Sequence, residues 1–176
     1  IGLYKTLIEM GADISFTNQR EVDGEIIADI NAKSSKLFGI TVPKSRAPSM
    51  IDEYPILAIA AIRANGDTIM EGIEELRYKE TDRIKAMVDG LSSMEIKTKN
   101  TKDSLTINGK GEMSPISGDI EIDSRLDHRI AMSFLCLGLI TEKPVIVRDT
   151  DTINSSFPIF FDQMNKVGAK FKYLRS

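Results

Sequence analysis

The segment DEYPILAIAAIRANGDTIMEG, residues 52–72, begins with an Asp, continues through a helix-length run that is apolar on nearly every side, turns through polar residues and ends in a short strand. A helix apolar all round belongs inside a fold, covered on every face. The phrase returns at residues 127–149, DHRIAMSFLCLGLITEKPVIVRD, with the same leading Asp, buried-type helix and β-branched strand. Two such helices in one chain, each handing over to a strand, predict an α/β domain built from internal repeats.

A second phrase follows each of these. YKTLIEMGADISF (4–16) and FDQMNKVGAKFKY (161–173) share an aromatic start, a Gly-Ala pair and apolar residues at matching strand positions, and IKAMVDGLSSMEIKT (84–98) is a looser copy. In the first copy, apolar residues at 4, 7, 8 and 10 followed by Gly11 predict a helix with a glycine cap, and Ala12–Phe16 predicts a strand. Adding alternating strands at 25–32 and 104–107, the unit reads as buried helix, strand, second helix, Gly, strand. The first copy starts at its second helix, so the count predicts that its buried helix and preceding strand lie upstream of Ile1. Residues 1–176 are therefore expected to be one domain truncated on its N-terminal side. The start, Ile1-Gly2-Leu3-Tyr4-Lys5, has neither an initiator Met nor the pattern of a leader peptide.

The composition narrows the function classes. A net charge of −3 argues against a general nucleic-acid binder, and no apolar run approaches the roughly 20 residues of a membrane span. One cysteine, Cys136, sits in the apolar run AMSFLCLGLI and is read as a small packed hydrophobe in a reducing, cytoplasmic setting.

The chemistry concentrates in EELRYKETDRIKAM, residues 74–87. Ile84, Met87, Val88 and Leu91 form an i, i+3, i+4, i+7 stripe, and extending it backward puts Glu80 and Arg83 on the buried face, with Lys85 and Asp89 opposite. A first-turn Glu–Arg pair contributing about 0.2–0.5 kcal/mol accounts for the pattern as a structural feature. Arg77, Lys79 and Arg83, however, put three cations at a helix start, where the dipole disfavours them and free N–H groups attract an anion. SRLDHRIAMSFL repeats the anomaly with Arg125, His128 and Arg129, and Arg129 has Asp127 as a nearby structural partner. His128 reads as a structural hydrogen-bonder, since a metal site needs further His or Cys ligands. Asp52 fits a helix N-cap, with Pro55 in the first turn, and the repeat also brings it near Lys79, Glu80, Arg83 and Arg129. These residues alone define an anion site with an acid beside it.

Taken in order, SMIDEYP, RYKETDR, LDHRIAMSF and SSFPIFF closely resemble the C-terminal half of the 5-enolpyruvylshikimate-3-phosphate synthase family, nearest the bacterial subgroup that includes glyphosate-insensitive enzymes. The resemblance covers essentially the whole chain. It implies two domains of repeated βαβαββ units in the inside-out α/β barrel fold of enolpyruvyl transferases. It further implies transfer of the enolpyruvyl group of phosphoenolpyruvate to the 5-hydroxyl of shikimate 3-phosphate, without a metal or organic cofactor, with no nucleic-acid or membrane partner.

By resemblance, Asp52 is the general base and Lys79 contacts shikimate 3-phosphate and assists protonation. Glu80 is the second proton-transfer carboxylate, and Arg83 and Arg129 bind phosphoenolpyruvate. Where many members carry a lysine shortly before the Phe-Pro pair, this chain has Asn154-Ser155-Ser156 before Phe157-Pro158. The family's N-terminal domain, which supplies most of the shikimate 3-phosphate pocket, is absent, so these 176 residues are expected to be inactive alone. Two other readings are a relative of the UDP-N-acetylglucosamine enolpyruvyl transferases, whose catalysis is associated with a loop cysteine unlike Cys136, and a non-catalytic anion-binding domain, which has no need of Asp52 and Glu80.

Overall fold

The structure, a computed structural model, describes residues 1–174. Two βαβ crossovers set its layout. In the first, the short strands β3 (Leu37–Phe38) and β4 (Thr41–Val42) lead through helix α2 (Tyr54–Ile62) into β5 (Ala64–Glu71), and both pair with β5 in parallel. In the second, β8 (Ile120–Asp123) leads through α4 (His128–Leu137) into β9 (Val145–Arg148), again in parallel. Parallel neighbours require such a crossover. The two all-apolar phrases of the sequence are these two crossover helices, and α2 and α4 pack on one another.

The first crossover continues through α3 (Arg83–Ser92), β6 (Thr98–Asn100) and β7 (Ser104–Lys110), with β7 antiparallel to both β5 and β6. Residues 37–110 are thus one complete βαβαββ unit, the unit that the family resemblance implies. The core runs through it: Leu57, Ile62, Met70, Ile84, Leu91, Ile107 and, from α4, Phe134 are fully enclosed. Gly90 of α3 marks the closest approach to α4, because a Cβ there would meet Phe134 Cζ at 2.2 Å.

The first repeat is helix α1 (Gly2–Glu9) and the hairpin β1 (Asp13–Val22) and β2 (Glu25–Lys33). Gly11, at φ +99°, ends α1 as expected, and Ala12 N–H reaches back to Leu7 O at 2.9 Å. The hairpin turns at Asp23-Gly24, both with positive φ, the conformation a tight two-residue connection requires. β1 is longer than the expected strand 12–16 because β2 pairs with residues 13–17 and again with 20–22, on either side of a bulge.

Two expectations need correction. After α5 (Thr152–Ser156) and α6 (Phe160–Lys166), residues 169–174 do not form the strand predicted from the repeat. Ala169 N–H bonds Met164 O, and Phe171 stacks on Phe160 with centroids 6.0 Å apart, so local contacts to α6 hold this segment. In addition, α3 begins at Arg83, capped by the Asp82 side chain on Lys85 N–H at 2.9 Å. Asp82 wins because it is a strong N-cap, and this leaves Lys79 and Glu80 in the turn before the helix.

Candidate active site

The N-terminal ends of α2, α3 and α4 converge on one side chain. Arg83 is 1% exposed, and its guanidinium makes a charge-assisted hydrogen bond to a different carboxylate from each of its three nitrogens. Nε donates to Asp127 Oδ2 at 2.8 Å, Nη1 to Asp52 Oδ1 at 2.8 Å and Nη2 to Glu80 Oε2 at 2.6 Å. Burial opposes the charge on Arg83, but the hydrogen bonds to Asp127 and Asp52 and the fields of Asp127 and Glu80 outweigh it and keep the guanidinium ionised.

The other expected residues gather around this clamp. Lys79 Nζ lies 2.6 Å from Glu75 Oε1 and 3.7 Å from Asp52 Oδ1. Its hydrogen bond to Glu75, more than the field of Asp52, raises its affinity for the proton. Arg129 Nη1 donates to the backbone carbonyl of Asp52 at 3.2 Å, while its Nη2 is 3.8 Å from Asp52 Oδ2 and its Nη1 3.9 Å from Glu53 Oε1. With a third of its side chain exposed and, among the described residues, no ion pair closer than 3.8 Å, Arg129 is the cation best placed to receive an incoming anion.

Asp52 is not the N-cap that its sequence position suggests. It sits in a 3-10 turn, Ile51–Glu53, and α2 starts after Glu53 without a side-chain cap. Its carboxylate is drawn to the cations instead. Burial pushes against its ionisation, yet Arg83, Arg129 and Lys79 together hold it below the ordinary carboxylate value of 3.8.

Arg77 also departs from the anion-site reading. It is consumed by Asp82 at 2.8 Å and by the carbonyls of Thr101 and Lys102, which ties the turn to the loop before β7. Arg125 likewise pairs with Asp89 at 2.5 Å. The sequence overlooked Glu53, and it gave Asp127 the wrong arginine: the carboxylate accepts from the Arg83 side chain and takes from Arg129 only its backbone N–H. Asp127 had a signal, since it holds the position in the second repeat that Asp52 holds in the first, and both repeats deliver that acid to Arg83.

Charge counting sets a limit on what this arrangement can bind. Three cations, Lys79, Arg83 and Arg129, face five carboxylates, from Asp52, Glu53, Glu75, Glu80 and Asp127. An anion reaches the Nη atoms of Arg83 only by displacing Asp52 or Glu80 from them. Beside Arg129 opens a cavity of about 190 Å³, lined by Ile56, Met132, Cys136, Phe157 and Phe160. Burial pushes the Cys136 thiol up to about 11, so at neutral pH it is protonated and a poor nucleophile. Among the described residues, no group of three or more His, Cys, Asp or Glu side chains is placed to hold a metal ion.

Repeated crossover units with buried helices, their N-termini directed at a shared charged cluster, define the class. The enolpyruvyl transferase NikO from Streptomyces tendae has this fold, with a TM-score of 0.67 at 18% identity over 96% of this chain and 35% of its own. A narrower assignment comes from the sequence: the family EPSP synthase (3-phosphoshikimate 1-carboxyvinyltransferase) matches residues 2–164, and the chain belongs to it. A 3-phosphoshikimate 1-carboxyvinyltransferase of Paramagnetospirillum magneticum is 50% identical over 96% of this chain and 37% of its own length. The EPSP synthase structure from Acinetobacter baumannii superposes with a TM-score of 0.91 at 46% identity, covering 96% of this chain and 39% of that one. The chain spans well under half the length of these relatives. No helix among the described residues is long and apolar enough to cross a membrane.

Proposed function

We propose that the chain is the C-terminal domain of a two-domain enzyme that transfers the enolpyruvyl group of phosphoenolpyruvate to the 5-hydroxyl of shikimate 3-phosphate, releasing phosphate. The observation that carries the reading is the Arg83 clamp, which holds two half-exposed carboxylates, Asp52 and Glu80, on one guanidinium at 2.8 and 2.6 Å. The carboxylate and phosphate of phosphoenolpyruvate take over the Nη edge of Arg83 and the open guanidinium of Arg129, and Asp52 and Glu80 are released. Neutralising the cations around Asp52 removes what depresses its proton affinity, so the anion's arrival turns a weak base into a stronger one. Asp52 then takes the proton of the attacking hydroxyl. Glu80, released from Arg83 and protonated, gives its proton to the methylene carbon with the assistance of Lys79, and recovers one when the methyl group is deprotonated in the second half. The substrate oxygen bonds to the central carbon; in the second half of the reaction the phosphate leaves and a proton returns from the methyl group.

The excess of carboxylates here supports a second domain that brings cations of its own and closes over the site, excluding water. The 176 residues are accordingly inactive alone. A groove of about 1,010 Å³ between α1 and the hairpin, lined by Tyr4, Ile8, Phe16, Ile26 and Ile30, supports an upstream strand and apolar helix completing the first repeat.

The test is phosphate release by the full polypeptide, at the length of its relatives, given both substrates. Asp52→Asn and Glu80→Gln should each lower kcat by about 10²-fold or more, in line with loss of a proton-transfer group. Arg129→Ala should chiefly raise KM for phosphoenolpyruvate. Wild-type rates in both carboxylate variants would sink the assignment.

A further inference from the structure

Of the three carboxylates on Arg83, Asp127 alone is fully enclosed, at 0% exposure against 37% for Asp52 and 48% for Glu80. Its oxygens have separate tasks. Oδ1 caps α4, accepting the N–H groups of Arg129 at 2.9 Å and Ile130 at 3.2 Å, and Oδ2 accepts Nε–H of Arg83 at 2.8 Å. The chain reaches this position through a turn in which Arg125 and Leu126 both hold left-handed φ, +55° and +59°, an unfavourable pair for residues with a Cβ. The turn is fastened by Asp127 N–H on Ser124 O at 3.0 Å, Arg125 N–H on Asp123 Oδ1 at 2.7 Å and the Arg125–Asp89 ion pair.

We propose that Asp127 is a positioning residue for both arginines of the site. By anchoring Nε it turns the guanidinium so that Nη1 and Nη2 form the exchangeable edge, held only by the two carboxylates that are exposed enough to move away. Through its other oxygen it fixes the first turn of α4, from which Arg129 projects. One immobile carboxylate therefore sets the spacing of two guanidinium groups, the quantity that an anion bound by both must match. The proposal rests on the reading of the site as one for phosphoenolpyruvate and adds the residue that sets its register.

Asp127→Asn separates the two tasks. Asparagine caps helices as well as aspartate, so Oδ1 keeps α4 in place, but its NH₂ opposes the Nε–H of Arg83, donor against donor. The full polypeptide is titrated with phosphoenolpyruvate by calorimetry, and KM, kcat and the thermal midpoint are measured alongside. Asp127→Asn should weaken phosphoenolpyruvate binding at least tenfold and raise its KM in parallel, with a smaller change in kcat; its thermal midpoint falls, as the loss of a buried ion-pair partner requires, but stays above the assay temperature. In an Arg83→Lys background, which has no Nε–H to anchor, the same change should add less than twofold. Unaltered affinity in Asp127→Asn, or an equal loss in both backgrounds, would overturn the positioning role. A wild-type protein that binds phosphoenolpyruvate but does not turn over refutes the transferase reading instead, and the calorimetric comparison still decides the role of Asp127.

Discussion

Arg83 is where stability and chemistry meet. Removing one partner from a buried ion network leaves the others uncompensated, which costs about 3–5 kcal/mol. Truncating Arg83 would therefore unfold the site before it reported on binding, and the carboxylates are the better probes. Asp52 makes its contribution testable by pH. Its folded value lies below the ordinary 3.8 because Arg83, Arg129 and Lys79 outweigh the burial that opposes its charge. A depressed carboxyl contributes stability that is fully present above the unfolded value and is lost as pH falls through the folded one. Urea denaturation from pH 7 to pH 3 should thus show Asp52→Asn less stable than wild type by a constant margin down to about pH 5, and by a margin that narrows as the pH falls further. A margin that grew in acid would mean that the cations do not govern Asp52.

At the scale of elements, function depends on how closely helices approach, because α3 and α4 must bring Arg83 and Asp127 within hydrogen-bond reach. Gly90 permits that approach. Its missing Cβ would sit 2.2 Å from Phe134 Cζ, a ring held at 0% exposure. Gly90→Ala gains helix propensity but overpacks the crossing, for a net loss of about 1–3 kcal/mol in chemical denaturation; a stabilised variant would mean that Phe134 can yield. The same elements mark how far the sequence could be read. The crossover helices were legible because Leu57, Ile62, Ile130 and Phe134 leave no polar face, and the stripe from Ile84 to Leu91 placed α3. The start of α3 was misread because periodicity carries no information about where a stripe stops, and Asp82 ended it by capping. Arg83 stood out as a charge on a buried face. Its partner Asp127 was obscured because a helix-capping Asp looks the same whether or not its second oxygen holds an arginine. Residues 169–173 misled for the opposite reason: alternation can match a strand where there is no neighbouring strand to pair with, and stacking of Phe171 on Phe160 then decides the path.

The whole molecule is unevenly covered. The unit from 37 to 110 encloses its core, whereas the hairpin presents an apolar face to solvent, with Ile26 78% and Ile30 45% exposed, and Phe16 pairs with Ile30 across the strands. Isolated two-stranded hairpins are marginal in water, and contiguous exposed apolar surface marks a place where something packs. The other two repeats show what packs there, since α2 and α4 each bury against their own strands. If the full polypeptide seats an apolar helix in this groove, a charge introduced at Ile26 is buried without a partner. Ile26→Lys should then destabilise the full polypeptide by about 2–5 kcal/mol in urea denaturation, as a group stripped of water without a hydrogen bond does. Substitutions on open surface stay within about 0.5 kcal/mol. Hydrogen exchange supplies the complementary readout, with β2 amides protected in the wild-type polypeptide and exposed in the variant. A variant as stable as wild type, with β2 exchanging freely in both, would mean that the groove stays open and the first repeat is completed by nothing.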